Sequence, residues 1–149
     1  MPASLPAYDL IPLPGEGPED VVVGSDGLIY TGLLDGRILS VAPKDGAVRE
    51  VAKTGGRPLG LEATTDGRLL ICDSPKGLLE LDIKTGALRS LVTHDGAEPL
   101  IFCSNVVAAP DGESSSPSHR CATAFVIGGR TSQRTCRQGA FIAARPAGR

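Results

Sequence analysis

An all-β fold is predicted by three features of the sequence: short runs of Val, Ile and Leu, glycine-containing turns between them, and a pattern that returns after forty residues. Asp26-Gly27 recurs as Asp66-Gly67, Ile38-Leu39 as Leu78-Leu79, and Gly46-Ala47-Val48 as Gly86-Ala87-Leu88. A constant offset of this size marks stacked repeats of one supersecondary unit.

The elements follow in order. In the first unit the strands are "DVVVG", "LIYTG", "RILSVA" and "AVREVA", separated by "SDG", "LDG" and "KDG". In the second they are "LGLEAT", "RLLICD", "GLLELDI" and "ALRSLVT", with turns at "TDG", "SPKG" and "KTG". Asp-Gly supplies the positive φ of tight hairpin turns, and the alternation Leu79, Leu81, Ile83 sets one face toward a core. Four strands per ~40 residues is the spacing of a propeller blade. The expected architecture is therefore a partial β-propeller: two four-stranded antiparallel blades, the first strand of a third in "NVVAAP", and an irregular C-terminal tail. Residues 1–15 read as an N-terminal extension, 16–112 as the partial propeller and 113–149 as the tail. A β-sandwich of evenly spaced hairpins is the alternative; one long amphipathic helix is excluded by the glycine turns.

Charge divides the chain at the same place. Residues 1–112 carry 16 acidic and 9 basic side chains, whereas 113–149 carry six Arg and one acid. The Arg residues form no block and have no aromatic platform, so no nucleic-acid partner is expected. No run approaches the ~20 apolar residues of a membrane span and the start lacks the regions of a signal peptide, so neither a membrane partner nor export is expected. A cytoplasmic location is the default. Cys72, Cys103, Cys121 and Cys136 have neither C-x-x-C spacing nor zinc-type spacing to His, and Cys72 and Cys103 sit in apolar runs as buried thiols. His94 and His119 lack a visible catalytic partner and read as surface residues. The glycines of "GEGPED" precede a strand instead of joining strand to helix, which rules out a dinucleotide loop; a P-loop and a G-x-S-x-G elbow are absent too.

Three segments, "GPEDVVVGSDGLIYTGLLDGRI", "GGRPLGLEATTDGRLLICD" and "EPLIFCSNVVAAPDG", together resemble the six-bladed propellers of the regucalcin and gluconolactonase, strictosidine synthase-like and paraoxonase superfamily. The resemblance implies a ring of blades around a divalent cation, usually calcium, held by oxygen donors suited to a hard ion. Its "PED" motif makes Glu19 the leading metal residue and Asp20 a second-site ligand. The family's Asn pair falls at "SN", leaving Asn105 as a ligand while Ser104, with its poorer hydroxyl donor, takes the first Asn position and is assigned to substrate. Arg57 and Glu98 lie in loops that border the family's pocket and are further substrate contacts. Read without the resemblance, Glu19 and Asp20 are a solvated turn before a strand, and Arg57 and Glu98 are surface turn residues. The implied activity is hydrolysis of a lactone or ester, with a small-molecule substrate; no catalytic residue is assigned. Six such blades need about 240 residues, so the chain reads as a truncated member, inactive alone; a non-enzymatic binding module is the alternative.

The tail has its own explanation. "PDGESSSP" opens like the two earlier Asp-Gly turns but leads into serines. TCN serine codons read from the preceding third base become NTC, which encodes Phe, Leu, Ile or Val. In that frame "ESSSPSHRCATAFVIGGRTS" permits "IVFTESSVRYGICHWRADL", which is similar to the superfamily's usual continuation. Residues from Glu113 onward are thus expected to be a displaced-frame translation, which resequencing the locus tests; a disordered extension or a small basic interaction segment are the alternatives.

Overall fold

The computed structural model describes residues 7–74, 76–95, 97–109, 121–126 and 140–144. Every regular element among them is a strand. The first blade is built from β1 (Val21–Val23), β2 (Ile29–Gly32), β3 (Arg37–Val41) and β4 (Val48–Lys53), paired antiparallel in that order. The second is built from β5 (Arg57–Ala63), β6 (Arg68–Ser74), β7 (Gly77–Asp82) and β8 (Leu88–Val92), paired in the same way. These are the eight strands expected from the sequence.

The forty-residue repeat is structural down to single bonds. In the last hairpin of the first blade Ala42 N donates to Ala47 O and Gly46 N to Ala42 O, each at 2.9 Å; Asp82, Ala87 and Gly86 repeat both bonds at the same distance in the second. The register slips between Ile38 and Leu39 in one blade and between Leu78 and Leu79 in the other. Gly27 and Gly67 sit at φ 79° and 83°, the left-handed conformation for which Asp-Gly was read.

A short hairpin follows, β9 (His94–Asp95) with β10 (Glu98–Pro99). It was not foreseen, although Asp95-Gly96 is the same turn signal. Then comes β11 (Cys103–Ala109), the expected first strand of the third unit. The third sheet goes further than that one strand: β12 (Cys121–Val126) pairs with β11 and β13 (Ala140–Ala144) with β12, so parts of the range read as irregular tail are extended and paired. Thr123, Phe125, Val126, Phe141 and Ile142 in these segments are of residue types enriched in strands. The third Asp-Gly at 111–112, the serines 114–116 and His119 lie outside the described residues.

Two apolar seams hold the sheets together. Tyr30 and Ile38 of the first blade pack with Leu61, Leu69, Ile71, Leu79 and Leu81 of the second. Leu70, Cys72 and Leu78 of the second blade pack with Leu100, Cys103 and Val106 of the third unit. Within the two seams Ile38, Leu69, Ile71, Leu78, Leu81, Cys72 and Cys103 are fully buried. Burial of this kind is what lets one blade stabilise its neighbour in a repeat array.

Candidate functional site at the inner strands

Strands β1 and β5 are the first strands of their blades, each with one free edge. An edge strand presents N–H groups that need partners. Asp20, just before β1, meets this need across the blade boundary: its Oδ2 accepts from Leu61 N and its Oδ1 from Val21 N, both at 2.8 Å. Its main-chain oxygen accepts from Thr31 Oγ1 at 2.7 Å. One residue thus ties β1 to β2 and to β5.

The approach to β5 is fixed by two buried polar side chains. Thr54 Oγ1 donates to Gly36 O at 3.2 Å and accepts from Gly56 N at 3.1 Å. Asp73, fully buried at the end of β6, accepts from Arg57 N through Oδ1 at 3.1 Å. A Cβ on Gly56 would lie 1.9 Å from Asp73 Oδ1, so the carboxylate fits there only because residue 56 is glycine. With its main chain held in this way, Arg57 sends its guanidinium back across the boundary to Glu19, and the two form an ion pair with both side chains nearly half exposed. Arg57 Nε and Asp73 Oδ2 are buried and lack a hydrogen-bond partner among the described residues. A donor and an acceptor of opposite charge therefore retain bonding capacity beside the pair.

Strand β11 completes the described part of the site. Gly60 of β5 lies so close to it that a Cβ there would sit 2.3 Å from Ser104 O. Ser104 is half-buried and Asn105 exposed, with Asn105 Nδ2 and Ser104 Oγ 3.5 Å apart, the outer limit of a hydrogen bond. Glu98 belongs to β10, in the hairpin that precedes β11.

The geometry brings Glu19 together with Arg57, a candidate ligand with a candidate substrate contact. It does not by itself assemble a cation site from Glu19, Asp20 and Asn105. Glu19 is paired to a guanidinium, both Asp20 carboxylate oxygens already accept main-chain N–H groups, and among the described residues no group of three or more His, Cys, Asp or Glu could hold a metal. Sequence reasoning missed Asp73 and Thr54. The available signal was an acid closing the apolar strand "RLLICD" opposite a Gly-Gly pair.

Two complete four-stranded antiparallel blades packed side by side define a partial β-propeller. Residues 3–41 match the family model "Strictosidine synthase-like, N-terminal". Strictosidine synthase-like protein 4 of Arabidopsis thaliana is 34% identical over 128 residues, covering 68% of this chain and 34% of that protein. Strictosidine synthase-like protein 6 of the same plant is 39% identical over 83 residues (52% and 22%), and the adipocyte plasma membrane-associated protein of Gallus gallus is 32% identical over 112 (64% and 26%). The chain belongs to the regucalcin/gluconolactonase and strictosidine synthase-like propeller superfamily. It spans about a third or less of the length of these curated relatives. No helix among the described residues is long and apolar enough to cross a membrane.

Proposed function

We propose that this chain forms the opening blades of a strictosidine synthase-like propeller whose intact form acts on a small lactone or ester, and that the chain alone is inactive because it supplies only one side of the pocket. The observation that carries the reading is the Glu19–Arg57 pair beside the unsatisfied Asp73 Oδ2 at the junction of the first two blades. A guanidinium whose main chain is fixed in advance suits a carbonyl oxygen that gains negative charge during acyl transfer. Glu19 orients that guanidinium, and Ser104 and Asn105 of the third unit lie against Gly60 of the strand that carries Arg57. Calcium, the cofactor implied by the superfamily, would draw on Glu19, Asp20 and Asn105, and in this chain it would compete with Arg57 for Glu19. An exposed pair of this kind is worth under about 1 kcal/mol, so competition by a divalent ion is within reach. The proposed location is cytoplasmic, without nucleic-acid or membrane partners.

The occupation of Glu19 by Arg57 favours a second reading, a propeller that serves as a rigid binding module without turnover. The test compares the 149-residue chain with a full-length counterpart in the restored reading frame, using calcium titration and a panel of lactones and esters. The expected result is no turnover by the short chain and turnover by the long one that falls on Arg57→Ala. Turnover by the short chain overturns its inactivity; no turnover and no calcium binding by the long one leaves the binding module.

A further inference from the structure

The second seam contains a pair of thiols. Cys72, in the middle of β6, and Cys103, at the start of β11, are each 0% exposed, and their sulfur atoms are 2.8 Å apart. Both are reduced. The apolar residues around them are Leu70, Leu78, Leu100 and Val106, and the buried carboxylate of Asp73 is a charged neighbour of both thiols. A disulfide needs the sulfurs at about 2.05 Å, a closure of about 0.4 Å from each side.

We propose that Cys72 and Cys103 are a site of covalent modification, an oxidative cross-link between the second blade and the third sheet formed with hydrogen peroxide as the oxidant. One of the two sulfurs, 2.8 Å from the other, attacks peroxide; the O–O bond breaks, giving a sulfenic acid, and the departing hydroxide takes up the thiol proton as water. The other sulfur then attacks the sulfenic sulfur, the S–O bond breaks, and the hydroxyl leaves with the second thiol's proton as water. In sum, two thiols and one peroxide give one disulfide and two waters. Peroxide is small enough to enter as the seam opens locally. The link spans 31 residues and fastens β6 to the strand that carries Ser104 and Asn105, immediately after Cys103. Oxidation would fix that edge of the candidate site against the second blade.

The test treats the whole chain with hydrogen peroxide, alkylates the remaining thiols in denaturant and maps the four cysteines by mass spectrometry of proteolytic peptides. The expected product is a Cys72–Cys103 linked peptide that exceeds every other pairing in the native chain and loses that preference when oxidation is done in concentrated guanidinium. The Cys121→Ser, Cys136→Ser double variant is expected to form the same link, and Cys103→Ser none. The proposal is overturned if Cys72 and Cys103 stay alkylatable, if another pairing dominates in the native chain, if native and denatured samples pair alike, or if the double variant fails to link.

Discussion

Asp20 can be tested as a staple between blades. In Asp20→Ala the acceptor for Leu61 N is lost, and Leu61 is only 3% exposed, so its N–H is left without protein or water partners. The cost of abandoning a buried donor that was bonded to a charged acceptor is about 2–3 kcal/mol. The second bond, to Val21 N, adds little, because Val21 is 63% exposed and water replaces the carboxylate. Asp20→Asn keeps one oxygen for Leu61 and is expected to cost less than about 1 kcal/mol. Tyrosine emission during urea unfolding is a suitable assay: there is no tryptophan, Tyr30 is 2% exposed in the seam between the blades, and Tyr8 is already solvated. Equal stabilities for Ala and Asn, or an Ala variant within about 0.5 kcal/mol of the parent, would refute the staple. A ligand role predicts something different, in that the gap between Asp and Asn should widen when calcium is added.

Further expectations follow from the same geometry. Gly60→Ala places a Cβ 2.3 Å from Ser104 O and 2.9 Å from Asn105 Cα, main-chain atoms that cannot rotate aside, and should destabilise by about 1–3 kcal/mol with faster amide exchange along β11; parent-like exchange there contradicts the close approach. Glu19→Gln breaks an ion pair whose side chains are 45% and 43% exposed, so it should shift stability by less than about 1 kcal/mol, and a larger loss in urea unfolding would mean the pair is structural. Asp82 is held below the usual carboxylate range by Thr85 N–H, with Lys84 N–H and Arg68 assisting. A depressed carboxyl contributes above its unfolded pKa and loses that contribution as pH falls through the folded value. The acid side of the stability profile, below about pH 4, should therefore flatten in Asp82→Asn; an unchanged slope contradicts it.

What was legible in the sequence was local. Asp26-Gly27 and Asp66-Gly67 announce their turns because few residues adopt φ near 80°, and the strands between them follow from short Val, Ile and Leu runs a turn apart. The site is less legible because its bonds cross the boundary between repeats. Arg57 reaches a carboxylate 38 residues earlier, and Leu61 one 41 residues earlier, and no periodicity encodes either contact. Cys72 and Cys103 read correctly as buried, yet their mutual contact depends on how the second blade stacks on the third sheet. Asp73 is not marked by its sequence, because an acid at a strand end usually faces solvent; only the missing side chain at Gly56 makes room to bury it.

The same stacking logic bears on why the chain alone is expected to be silent. Val21-Val22-Val23 is apolar on both faces, the pattern of a strand covered on both sides. Here Val22 packs toward the second blade, while Val21 and Val23 are 63% and 65% exposed. At the other end Val106 is buried in the seam and Val107 is 59% exposed. An array of repeats gains stability at each interface and loses it at each open face, so under the proposed reading Val21, Val23 and Val107 are the side chains that neighbouring blades would cover. The proposed pocket follows the same rule, since Arg57 and Asp73 keep bonding capacity that two blades and one further sheet leave unused.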